Sequence, residues 1–158
     1  MDGFTKAKER TVTLQTSITT TWTGDIKGSG QVETAAVHVP VAIPTDLGGT
    51  GEGGDPKSFL LSSAATCYLL TLVGMLQMKK VPTNFLTLQS VASDPKKPDF
   101  TIDHAVDIEL PEGAGDEAVS KVEAAIQAAD QACLIGGILK KGGVAINVSG
   151  KVAVKAAA

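Results

Sequence analysis

The residues best suited to chemistry in this chain are two cysteines, Cys67 and Cys133. A thiolate is both nucleophile and reductant, and a second thiol nearby can turn an oxidised first one into a disulfide. Cys67 follows a run of small residues, Ser62-Ser63-Ala64-Ala65-Thr66, inside an otherwise apolar segment, which lets another backbone or a substrate come close to it. Helical spacing puts Leu60, Ser63, Ala64, Leu70, Thr71 and Gly74 on the same face. Residue type and spacing leave a second reading open, because free cysteine is among the most buried residue types and commonly packs as a small hydrophobe. Cys133 carries the same two readings. The pair can be bridged only if their Cα atoms approach within about 7 Å.

Reactivity requires a lowered pKa, since a free thiol near 8.5 is only a few per cent thiolate at neutral pH. The helix carrying Cys67 cannot provide this. Its N-terminal cap at Asp55 lies about 18 Å away at the usual rise per residue, whereas the helix dipole fades within the first turn. A cation or a hydrogen-bond donor must reach the sulfur from elsewhere in the fold.

The elements that carry these thiols are legible in outline. Thr11 to Thr23 is rich in Thr, Val and Ile with rough alternation and predicts a half-buried strand. Gly24-Asp25 and Gly28-Ser29-Gly30 mark a turn, and Gln31 to Ile43 completes a hairpin in which Pro40 and Pro44 mark an edge or an end. A flexible glycine loop, Gly48 to Gly54, feeds into Asp55-Pro56, where an N-cap Asp followed by a first-turn Pro starts a helix. That helix is expected from about Pro56 to Lys79, with Pro82 beyond its end. It contains no charge from Phe59 to Met78 and approaches the length of a membrane span, but Ser62, Ser63, Thr66, Thr71 and Gln77 dilute it. A helix buried on all sides in a soluble protein is the expectation.

Asn84 to Ser93 and Phe100 to Leu110 form a predicted strand pair around the turn-rich segment 94–99. In the second strand Ile102, His104, Val106, Ile108 and Leu110 share one face, which makes His104 a hydrogen-bonded core or interface residue. Asp116 to Lys140 predicts a second helix with the apolar stripe Val119, Val122, Ile126, Ala129 and Cys133. Gly136-Gly137 can bend it, Gly142-Gly143 ends it, and Val144 to Val154 is the last strand. The order is α+β in one domain, residues 1–158.

Composition narrows the function classes. With 43% hydrophobic and 20% charged residues, the chain is globular in type. A net charge of −3 and a single arginine, Arg10, leave no basic stripe for phosphates, so no nucleic-acid partner is expected. Two widely separated cysteines match neither a disulfide-dense secreted scaffold nor a zinc site, and His38 and His104 lie on different strands, so no metal is expected. The polar, mixed-charge start has no apolar signal core, and a reducing cytoplasm is the default location.

Three motifs in order carry a family resemblance. Trp22-Thr23-Gly24-Asp25 looks like the early W-x-G-D motif of OsmC proteins. Gly48 to Gly54, Asp55-Pro56 and the small-residue helix with Cys67 are similar to the G-x-N-P-E-x-L and A-A-C signatures, and Ala132-Cys133 before a final strand matches the second cysteine in place. The resemblance, to the OsmC/Ohr family (osmotically induced protein C, organic hydroperoxide resistance protein), runs from about Thr19 to Val152. It implies an OsmC-like fold of intertwined homodimeric subunits with two active sites at the interface and no bound cofactor. It also implies a thiol-dependent peroxidase acting on organic hydroperoxides in oxidative or osmotic stress defence. Cys67 would be the peroxidatic residue, Cys133 the resolving one, and an external dithiol the reductant. The sequence departs from that pattern where family members carry an activating arginine and glutamate. Lys27 and Lys57 stand near those positions, Arg10 and Glu52 are further charged candidates, and Leu134 replaces the proline after the second cysteine. The competing expectation is a non-enzymatic binding or structural dimer that kept the fold without the activating pair.

Overall fold

A computed structural model describes residues 15–93 and 99–157, divided into two compact units at Asp55 and Pro56. The first unit, as far as it is described, is a three-stranded antiparallel sheet of β1 (Thr19–Thr23), β2 (Ser29–Glu33) and β3 (His38–Val41), in that order. The expected half-buried strand from Thr11 is shorter among the described residues, and all five residues of β1 are exposed; 11–14 lie outside them. Among the described residues β1 lies at the edge of its sheet, paired with β2. The expected single return strand from Gln31 is instead a second hairpin, turned at Thr34. The Thr34 hydroxyl accepts from the N–H of Ala36 (3.1 Å) and of Val37 (2.9 Å), a local bond that competes with the ladder.

The glycine loop is likewise more structured than its composition predicts. Gly49 and Gly51 donate to the carbonyls of Pro44 (3.0 Å) and Ile43 (2.9 Å), and Gly54 donates to Pro40 (2.8 Å). A Cβ on Gly49 would fall 2.0 Å from the Ile43 carbonyl oxygen, so the backbone approach itself requires glycine.

The second unit places α1 (Pro56–Met78), α2 (Asp116–Ala132) and α3 (Leu134–Lys141) with a sheet of β4 (Phe85–Ala92), β5 (Thr101–Leu110) and β6 (Ala145–Val154). β5 is central, antiparallel to β4 and parallel to β6. The helices α2 and α3 form the crossover that a parallel pair requires. The expected turn between β4 and β5 falls largely on residues 94–98, outside the described ones. The alternation in β5 holds: Ile102, His104, Val106, Ile108 and Leu110 are all buried.

The expectation of a helix buried all round is corrected. Ala64, Tyr68, Leu72 and Leu76, four residues apart, are the buried residues of α1, while Leu70, Val73 and Met78 are 64%, 49% and 75% exposed. The helix is long and apolar enough to cross a membrane by length and composition, and an apolar circumference gives no sequence cue to the face that packs. That stripe meets Val122, Ala125, Ile126 and Ala129 of α2 and the inner face of β5 in one core. Both α1 and α3 end in the same way. The N–H of Val81 reaches the Leu76 carbonyl (3.1 Å) and that of Val144 the Leu139 carbonyl (3.0 Å), each next to a left-handed residue, Lys80 and Gly143.

His104 is the hydrogen-bonded core histidine that its position predicts. Its Nδ1 shares a 2.7 Å hydrogen bond with Ser90 Oγ, and its ring stacks on Tyr68 at a centroid distance of 5.2 Å. Burial is the main influence on its pKa and lowers it, favouring the neutral ring despite the carboxylates of Asp130 and Asp103. The unfolded chain, with an ordinary His near 6.5, then binds the extra proton first as the pH falls. This contribution to stability is present above about pH 6.5 and is lost as the pH falls from there through the folded-state value. Thermal unfolding at pH 7.5 and 5.5 should show a lower midpoint at pH 5.5, and His104→Asn should narrow the difference. An unchanged difference in that variant would assign the acid sensitivity elsewhere.

Candidate functional site

Cys67 and Cys133 meet in the second unit, both as free thiols. Cys67 sits one residue before the core-facing Tyr68, at the edge of the packed stripe of α1, and is only partly buried. Cys133 is buried, as its stripe position predicts. The predicted single helix, however, is two helices meeting at 55°, with the break at Cys133 rather than at Gly136-Gly137. Cys133 is extended, with φ −65° and ψ 115°, which ends α2 and opens α3. Its Sγ caps α3 by accepting the Gly136 N–H at 3.3 Å. A Cβ on Gly136 would lie 3.3 Å from that sulfur, tight enough to disturb the cap.

The break aims the start of α3 at Cys67. The Ile135 N–H points to Cys67 Sγ at 3.5 Å, a reachable distance for a sulfur acceptor. Amides in the first turn of a helix lack intrahelical partners, so they are available as donors to an anion. Burial pushes the Cys67 thiol up, but the Ile135 N–H, the Cys133 thiol, the Leu134 N–H and, least, the Thr71 hydroxyl together outweigh it, leaving the thiol below its ordinary range. In the described geometry the single Thr71 hydroxyl proton is donated to the Cys67 carbonyl at 2.8 Å. Cys133 moves the other way: burial raises it, the Gly136 N–H opposes, and the neighbouring Cys67 raises it further. The two shifts are opposite in sign: the Cys67 thiol ionises more readily than an ordinary one and the Cys133 thiol less readily.

Two of these donors, Ile135 and Leu134, are backbone groups, and no side-chain motif announces a backbone N–H. Leu134 is the exception in part, because a proline at that position would have no N–H to give. The charged candidates play no such part among the described residues. Among the described residues, no cation contributes to the lowering of Cys67. Lys27 and Glu52 belong to the first unit, where their backbone N–H groups donate to Asp25 Oδ1 (2.9 Å) and Thr50 Oγ1 (3.3 Å). Lys57 is exposed in the first turn of α1, about 15 Å along the helix from Cys67. Arg10 lies outside the described residues. His38, in the first unit, pairs with Glu33 at 3.1 Å, and no group of three His, Cys, Asp or Glu converges among the described residues.

Comparison with known proteins bears on the family and the fold. The family model for OsmC-like proteins matches residues 49–149, which include both cysteines, α1, α2 and α3; the Trp22 motif precedes the matched residues. The uncharacterized protein YmaD of Bacillus subtilis is 29% identical over 118 residues, covering 72% of this chain and 79% of its own. The crystal structure of an OsmC-like protein from Mycoplasma pneumoniae has a TM-score of 0.70 at 19% identity, covering 88% of this chain and 97% of that one. An organic hydroperoxide resistance protein OsmC from Legionella pneumophila has a TM-score of 0.63 at 18% identity, covering 86% and 97%. The organic hydroperoxide resistance protein OhrB of Bacillus subtilis follows the same fold at a TM-score of 0.51 and 16% identity, covering 85% and 98%. With its family match spanning most of the chain and its α+β fold shared with these structures, the protein belongs to the OsmC-like family.

Proposed function

We propose that this protein is a cysteine-based peroxidase that reduces organic hydroperoxides, with Cys67 as the peroxidatic and Cys133 as the resolving residue. The observation that carries the reading is the Cys67 sulfur held against the Ile135 N–H beside the Cys133 thiol. The choice of an organic hydroperoxide draws on relatives named for resistance to such compounds.

In the first step the Cys67 thiolate attacks the terminal, hydrogen-bearing oxygen of ROOH, the O–O bond breaks, and RO⁻ takes a proton from water to leave as ROH. Cys67 is then a sulfenic acid. The Cys133 sulfur, giving up its proton, attacks Cys67 Sγ; hydroxide departs, is protonated to water, and a disulfide forms. An external dithiol returns both thiols by exchange, so the cycle needs no metal or bound cofactor. A raised pKa on Cys133 suits its role: it stays neutral and does not compete for the α3 amides until Cys67 is oxidised. A reducing cytoplasm would keep both sulfurs as thiols between cycles.

The purified protein should consume cumene hydroperoxide or tert-butyl hydroperoxide with a dithiol present. No consumption above the dithiol alone would remove the peroxidase reading.

The protein is also proposed to work as a homodimer. Leu70, Val73 and Met78 on α1, and Leu134 (71%) and Ile138 (57%) on α3, leave apolar side chains exposed on the two helices that carry the site. A second copy covering them would limit water near Cys67. Sedimentation should therefore give twice the monomer mass, and Val73→Glu should shift it toward monomer. A monomeric wild type would overturn the dimer and leave the thiol chemistry to stand alone.

A further inference from the structure

The amides that face Cys67 belong to α3, so the angle between α2 and α3 decides whether they reach it. That angle of 55° turns on one extended residue, Cys133. Across the bend, Lys140 Nζ donates to Asp130 Oδ2 at 2.6 Å, joining the last turn of α2 to the end of α3. The carboxylate is four-fifths covered and the lysine about one-third exposed, so this pair is better shielded than a solvated surface pair. α3 is short, and Leu134 and Ile138 on its outer side are exposed. A tie at its far end therefore controls a lever whose near end holds the Leu134 and Ile135 amides.

We propose that Asp130 and Lys140 are positioning residues, an ion pair that fixes the α2–α3 elbow so that the first amides of α3 point at the Cys67 sulfur. This deepens the peroxidase reading, for which it would be the support behind the nucleophile, but it is defined by the state of the thiol and not by turnover.

A direct charge effect on the sulfur is the rival cause, and it predicts opposite signs for the two residues. Loss of the lysine would disfavour a thiolate, and loss of the aspartate would favour it. Loss of positioning disfavours the thiolate in both cases. The other titratable groups at the elbow are Cys133 itself, Tyr68 on α1 and His104 on β5. Asp130 acts on both rings, Lys140 and Asp103 on His104. Both rings stay in place in these variants, and only the charges acting on them change.

The test is the rate of Cys67 alkylation by iodoacetamide across pH 5 to 10, with the modified residue identified by mass spectrometry. Asp130→Asn and Lys140→Met should each slow alkylation at pH 7 by about three- to tenfold, in line with loss of a modest hydrogen bond. Lys140→Arg should keep the wild-type rate, and the exchange Asp130→Lys with Lys140→Asp should recover it. Unchanged rates, or a faster rate in Asp130→Asn, would overturn positioning. If either single variant fails to fold, the exchanged pair decides: a folded exchange with a slow thiol also overturns it. A wild type that alkylates fast yet turns over no peroxide would remove the peroxidase and leave the positioning role intact.

Discussion

Cys67→Ser should reduce hydroperoxide consumption to the background given by the dithiol alone, a loss of at least about a thousandfold if Cys67 is the nucleophile. A serine hydroxyl close to the same donors remains protonated at neutral pH, and the stabilised anion that attacks the O–O bond no longer exists. The substitution changes one partly buried atom, so the expected stability change is within about 1 kcal/mol. A circular dichroism melt close to that of the wild type would separate lost chemistry from lost structure. Cys133→Ser makes the contrast. It should retain one stoichiometric oxidation of Cys67, because the Ile135 and Leu134 amides stay in place, and then stall at the sulfenic acid. A dimedone adduct on Cys67 in that variant, with no sustained turnover, is the expected result. Continued turnover in Cys67→Ser would require another nucleophile.

Leu134→Pro should weaken the thiolate without unfolding the helix. Leu134 is the first residue of α3, the position at which proline is best tolerated in a helix. The preceding residue, Cys133, already has the extended conformation that a following proline demands. The substitution thus removes one N–H that lowers the Cys67 pKa and little else. Loss of a hydrogen bond worth about 1 kcal/mol corresponds to roughly a fivefold smaller thiolate population where the thiol is mostly protonated. Alkylation and peroxide consumption at pH 7 should fall by a similar factor and recover together at pH 9, where the thiol ionises regardless. Equal rates for Leu134→Pro and the wild type at pH 7 would show that this amide does not act on the sulfur.

Much of this architecture could be read from the residues because each signal was local. Asp55-Pro56 marks the start of α1, the alternation from Ile102 to Leu110 identifies the inner face of β5, and Gly142-Gly143 marks the end of α3. The stripe through Val122, Ile126 and Ala129 faces the core as its spacing requires. The elbow was not legible for two reasons. Cysteine is not among the usual N-cap residues, and the helical spacing runs through Ala129 to Cys133 without interruption. The second hairpin was hidden because a lone Thr34 gives a weaker turn signal than the flanking prolines give an end. At the site, the two sulfurs were identifiable by type and family resemblance, but their approach depends on how α1 and α3 pack. The source of activation was the least legible feature. The charged side chains of Lys27, Lys57, Arg10 and Glu52 stand out in the sequence, whereas the contributing amides of Leu134 and Ile135 are of a kind present in any non-proline residue.

That difference also gives the departure at Leu134 a physical meaning. Where a proline would leave a gap in the first turn of α3, this chain has a donor, and where an arginine is expected it has none in the described site. An anion held by oriented amides needs no cation, and the amides are fixed by the helix and not by a flexible side chain.

The central claim, that the first amides of α3 lower the pKa of the Cys67 thiol, is tested most directly by the pH dependence of Cys67 alkylation in the unmodified protein. The account predicts a midpoint below the 8.5 of a free cysteine, with Cys133 unreactive through the same range. A midpoint at or above that of a free cysteine would contradict it.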